Sequence, residues 1–225
     1  MTSSNQLQTA PLDPALDQAI EFLTAPSATP PAAEAVVEAL LQAEKTAKQT
    51  KVRHAYPQLL GTWRLGFITG TKRASSIDAT LRERLSRTPT RKKGGVILGA
   101  GRFLPKWVKI HLSYSQSEAG QEQGIVQNSV DIGLLKLVLT GPTQFWSKTN
   151  ILAFDFTRMR VSLLGLKLYE GYIRGGRDRE ARFYEQSLKE QAFFTYFLVE
   201  EQCIAARGRG GGLALWTKAN PINQE

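Results

Sequence analysis

With 225 residues, 42% of them hydrophobic and 22% charged, the chain has the make-up of a folded globular protein with a sizeable core. A single cysteine, Cys203, and only two histidines, His54 and His111, exclude an internal disulfide framework and argue against any metal site. The net charge of +9 is uneven: residues 1–50 hold six acids against Lys45 and Lys48, whereas 71–95 holds eight bases against Asp78 and Glu83.

No apolar run approaches the ~20 residues of a bilayer-spanning helix. The polar start lacks the basic and apolar regions of a signal peptide, so we expect a soluble or peripheral protein in a reducing compartment. The first ten residues are expected to form a disordered tail. In "DPALDQAIEFLTA", Asp13 can cap a helix that has Pro14 in its first turn and Leu16, Ile20 and Leu23 at helical spacing. "TPPAAEAVVEALLQAEKTAKQT" predicts a second helix opened by Thr29 and two prolines, with acids early and lysines late.

From residue 59 the pattern changes to strands. "LLGTWRLGFITG" alternates, which puts Trp63, Leu65 and Phe67 on one face. The basic segment 71–95 follows, led by Lys72, Arg73, Arg82, Arg84, Arg87, Arg91, Lys92 and Lys93; it suits anionic lipid head groups or nucleic-acid phosphates, or is a solvated loop. In "WVKIHLSYS", apolar Val108, Ile110, Leu112 and Tyr114 alternate with Lys109, His111 and Ser113. Short strand patterns continue through "QGIVQNSVDI", "LLKLVLTG", "ILAFDFTRMRVSLLG", "LKLYEGYIRGG", "QAFFTYFLVEEQ" and "GGLALWTK". "GRDREARFYEQSLKE" reads as a short exposed helix or a loop. Many short strands at such spacing predict an antiparallel sandwich or closed barrel. "LLKLVLTG" is apolar on both faces for part of its length; we expect the N-terminal helices to cover its outside, the alternative being presentation to a membrane.

Catalytic patterns are lacking. "VILGAGRFL" has Leu104 where a dinucleotide-binding turn needs its third glycine, and predicts a hairpin or bulged turn instead. Asp155, Glu170, Glu200 and Glu201 form no recognisable acid–base pair, and no cofactor is implied. "RGRGGG" (207–212) is better read as a tight turn between terminal strands than as a nucleic-acid segment. We read the chain as non-catalytic and expect no nucleic-acid partner.

The Leu-Xaa-Gly-Xaa-Trp-Xaa-Leu pattern of residues 59–65 resembles the opening strand of the plastid lipid-associated proteins, or fibrillins. "FFTYFLVEEQCIAARGRGGGLALW" is similar to the closing segment of that family, and "QGIVQNSVDI" to its central strands; the likeness spans roughly residues 15–217. It implies an α+β fold, an N-terminal helical pair packed on a lipocalin-like antiparallel β-barrel. The helical segment would run over 11–56 and the barrel over 57–219, with 71–95 a basic insertion. By the same likeness Trp63 is the barrel floor, with Arg207 or Arg209 as a cation–π partner.

The family also implies binding of a prenylquinone, carotenoid or other lipid at a thylakoid or lipid-droplet surface. The location would be the cytoplasmic face in a cyanobacterium, or the plastid stroma or plastoglobule. A small barrel either fills with side chains or holds one ligand. The expected cavity wall is Trp63, Leu65, Phe67, Val108, Ile110, Leu112, Tyr114, Phe154 and Phe156, and the basic segment would hold anionic membrane. The rival expectation is an assembly factor with a solid barrel, docking an acidic protein partner through its basic segment.

Overall fold

The computed structural model describes residues 12–25, 27–70, 100–118 and 120–219. The expected tail 1–10 and the basic segment 71–95, with Lys72, Arg73, Arg82, Arg84, Arg87, Arg91, Lys92 and Lys93, lie outside them. Helix α1 (Pro14–Thr24) is capped by Asp13, whose carboxylate accepts the Ala15 N–H at 2.9 Å. Helix α2 (Ala33–Thr50) follows the two prolines, but its cap position is Ala32 and not Thr29. Pro30 and Pro31 hold the chain extended there, so helix begins only after them.

Eleven strands follow: β1 (Gly61–Thr69), β2 (Gly101–Phe103), β3 (Val108–Gln116), β4 (Gln123–Ile132), β5 (Leu135–Trp146), β6 (Ile151–Phe154), β7 (Arg158–Leu163), β8 (Leu166–Tyr172), β9 (Ala192–Val199), β10 (Cys203–Gly208) and β11 (Leu213–Lys218). The run read as one strand from Ile151 is two, β6 and β7, broken at Asp155–Thr157. Between β8 and β9, the segment read as helix or loop forms a short helix α3 (Gly176–Arg182) and a 3₁₀ turn. The order β3-β1-β11-β10-β9-β6-β5-β4, with β4 also paired to β3, closes an eight-stranded antiparallel barrel. All eight strands send side chains into its core, among them Trp63, Leu112, Tyr114, Val126, Phe145, Leu152, Phe154, Tyr196, Ile204 and Trp216.

The helices cover one side only. Leu16, Ala19, Val36, Ala39 and Leu40 pack on outward-facing Phe67, Phe197, Cys203, Ala205, Leu213 and Leu215. They do not cover the two-sided strand, contrary to the expectation for "LLKLVLTG": Leu134 and Leu135 are exposed. Strand β5 outruns its barrel partner. Its second half pairs with β6, while Leu135–Thr140 pairs with β7, and β7 with β8. An outgrowth of β7 and β8 therefore extends the sheet past the barrel.

Register explains what that outgrowth presents. Val108, Ile132, Leu135, Leu163 and Leu166 form one row across β3, β4, β5, β7 and β8. Ile110, Val130, Leu137, Val161 and Tyr169 form the next row on the same face, which leads into buried Leu112 and Tyr114. The opposite face carries Lys109, Asp131, Lys136, Ser162 and Lys167.

Candidate functional site

At the barrel floor, Trp63 is buried and its indole N–H donates to the Leu59 carbonyl at 2.7 Å. The cation over its ring is Lys218, with Nζ 4.2 Å from the centroid, and not Arg207 or Arg209. Register dictates this, because Trp63 pairs with Lys218 across β1 and β11. The same ammonium donates to the Leu60 carbonyl at 3.1 Å. Arg207 turns outward instead: its Nε donates to Glu44 Oε1 at 2.8 Å, its Nη2 to Glu44 Oε2, and its Nη1 to the Gly211 carbonyl at 2.5 Å. It thus ties β10 to α2. Arg209 donates to the carbonyls of Gln191, at 2.8 Å, and Lys189.

Burial alone would raise the Glu44 pKa, but hydrogen bonds from Arg207 and Lys48 outweigh it and hold the carboxyl below its usual value. Beneath the helices, burial pushes the Cys203 thiol up to about 12, with Glu200 and Asp17 adding to the effect, so it remains an unreactive thiol.

Above the floor the interior is filled with aromatic rings. The Tyr114 and Tyr196 hydroxyls lie 2.7 Å apart, and burial drives both pKa values upward, so each remains a neutral phenol. Phe194 packs edge-on against Trp216, centroids 5.4 Å apart, and stacks on Phe154 at 5.0 Å. Tyr56 plugs the near end, its hydroxyl donating to the Ser115 carbonyl at 3.1 Å.

The expected cavity wall is therefore only partly brought together. Trp63, Leu112 and Tyr114 are core, with Leu65 packed against them. Phe67 is not on their face. A β-bulge between Leu65 and Phe67 pairs Leu65 with Trp216 but Phe67 with Leu215, and so turns Phe67 outward beneath the helices. Gly66 permits it: a Cβ there would stand 2.2 Å from Leu23 Cδ1. Val108 and Ile110 lie beyond the closed barrel, on the outgrowth face.

Phe154 and Phe156 do line an open space. With Phe193 and Phe194 they border a cleft of about 430 Å³ at the barrel mouth, rimmed by Arg174, Arg179 and Arg209. Arg179 is held by Asp155 at 2.8 Å. Gln191, nearly fully buried, donates through Nε2 to the Phe183 carbonyl at 2.7 Å, and its Oε1 has no partner. The cleft thus offers an aromatic floor and a rim in which Asp155 and Glu190 stand among the three arginines. Among the described residues, no group of three or more His, Cys, Asp or Glu is arranged to hold a metal ion.

Sequence reasoning missed Lys218, Arg174 and Gln191. Lys218 could have been found by aligning β1 and β11 from the floor upward; the other two sit on irregular connections that carry no periodic signal. Fold and site together define the class: a closed antiparallel barrel with a helical cover and an aromatic cleft at its mouth. Comparison with protein-family models, with curated proteins and with solved structures finds no match.

Proposed function

We propose that this protein binds a lipophilic small molecule, without transforming it, while held at a membrane surface. The observation that carries this reading is the cleft formed by Phe154, Phe156 and Phe194. An apolar ring or chain end would lie on the phenyl rings. A carbonyl oxygen of the ligand would accept a hydrogen bond from Arg174 at the rim. At about 430 Å³ the cleft is toward the small end of ligand pockets, which favours a quinone head group or lipid terminus over an entire carotenoid.

The likeness of the opening and closing strands to the plastid lipid-associated proteins supports the same reading, with a thylakoid or lipid-droplet surface as the place of action. The eight bases of 71–95 would add attraction to anionic lipid, about 1 kcal/mol per charge near such a surface. Among the described residues no helix is long and apolar enough to cross a membrane.

One observation favours a second reading. The interior between Trp63 and Trp216 is filled by side chains, as a solid-barrel assembly factor docking an acidic protein would have it. Organic extraction of protein isolated from its native membranes, followed by mass spectrometry, separates the two. A stoichiometric prenylquinone, carotenoid or lipid, lost in a folded Phe156→Gln variant, supports the carrier. An empty extract from folded, never delipidated protein supports the assembly factor.

A further inference from the structure

The outgrowth ends in two hairpin turns built from leucine. Ile132-Gly133-Leu134-Leu135 joins β4 to β5, with Gly133 at φ 60°. Leu163-Leu164-Gly165-Leu166 joins β7 to β8, with Leu164 at φ 53° and Gly165 at φ 78°. A two-residue turn with positive φ at both positions favours Asn-Gly, because asparagine tolerates left-handed backbone and stays hydrated. Here a leucine stands instead, and it is 65% exposed. Leu134 and Leu166 are 66% and 70% exposed. The turns touch, since the Leu164 N–H donates to the Leu134 carbonyl at 3.0 Å. Trp107, 66% exposed, precedes Val108, whose partner is Ile132, so its ring belongs to the same end.

We propose that this leucine and tryptophan tip inserts into the interfacial layer of an anionic lipid bilayer. Backbone preference and aqueous solubility both disfavour leucine at Leu164; an apolar medium is what rewards it. Contiguous exposed apolar surface marks an interaction site, and a projecting tip fits a soft interior that can part around it. Tryptophan at the margin suits the headgroup level. The opposite face carries Lys109, Lys136, Lys167 and Arg160 against Asp131 and Glu170, an excess of cations that complements anionic headgroups. A second copy pairing along β8 fits less well, because the register shift opposite Val161 and Ser162 puts a bulge at Leu168, and the strand carries Lys167 and Glu170. The inference rests on the reading of a membrane-peripheral protein, but holds whether or not the cleft is occupied.

The test is flotation of the full chain with vesicles of phosphatidylcholine and phosphatidylglycerol in equal parts, at low and at molar salt. The variant is Leu134→Gln/Leu164→Asn/Leu166→Gln, whose positions are exposed and whose folding near-ultraviolet circular dichroism verifies. Wild type should float at low salt and in part at molar salt. The variant should lose at least about tenfold in affinity, since three leucines no longer leave water. Replacing the bases of 71–95 by Gln should remove only the salt-sensitive part. Equal flotation of wild type and triple variant overturns the proposal, as does a wild type that never floats. A solution dimer that the variant abolishes would assign the tip to a second copy and overturn it too. An empty organic extract would count against the cleft reading and leave this one standing.

Discussion

Leu112 and Val108 lie on the same face of β3, four residues apart. Leu112 is buried among rings from the rest of the barrel, while Val108 heads a row that runs out to exposed Leu166. The difference is closure. Around Leu112 the sheet curls back on itself and every inward residue meets another. Beyond it β5 exchanges β6 for β7, the sheet opens, and the same apolar pattern faces outward. Strand patterning thus states which face is apolar, and the choice of partner strand states what that face meets.

If closure is the distinction, substitutions in the barrel should be costly and those in the outgrowth nearly free. Trp63→Ala should have the largest effect, about 3–5 kcal/mol in denaturant unfolding, because it empties the floor and strands Lys218. A loss below 1 kcal/mol would mean that the floor is not tightly packed.

Next comes Glu44→Ala, which leaves Arg207 with the Gly211 carbonyl. We expect about 2 kcal/mol, less than for a fully buried pair because Arg207 keeps some contact with water. Its pH dependence has a definite sign. A carboxyl whose pKa is lowered in the folded chain contributes stability above the ordinary value of 4.5, and loses it as pH falls through the lower folded value. Glu44→Gln should therefore flatten the acid limb of the stability curve, read by thermal melts between neutral and acid pH. Lys218→Met should cost about 1 kcal/mol, by removing the cation from the Trp63 ring while keeping most of the bulk. It should also change the tryptophan emission.

The smallest effect has the opposite sign. Leu164→Asn relieves a left-handed leucine and should stabilise the protein by about 0.5–1 kcal/mol in the same unfolding measurement. Destabilisation there would mean that Leu164 is packed in the folded chain, against the exposed tip on which the comparison depends.

Much of the barrel was legible from alternation alone. "WVKIHLSYS" is one strand with the apolar face expected of it, Asp13 caps the first helix, and "RGRGGG" turns between the last two strands. What escaped were departures from the period. The bulge at Gly66 moved Phe67 to the other face, and no count of two anticipates it. The floor cation was sought among arginines, because register between sequence-distant strands is not written locally; it placed Lys218 there. The cleft draws on connections such as Arg174 and Gln191, where neither strand nor helix period operates. The leucine turns had a local signal, apolar residues where turn chemistry calls for Asn, Asp or Gly, but periodicity read them simply as strand ends.

The central claim, a closed barrel bearing an apolar tip that meets lipid, is tested most directly by peptide-resolved hydrogen exchange with and without anionic vesicles. Without vesicles, β8 should exchange through local opening and β10 only through global unfolding. With vesicles, protection should rise across residues 132–135 and 163–168 and leave β10 and β11 unchanged. A tip already protected without lipid, or vesicle-induced protection confined to the barrel, would contradict the account.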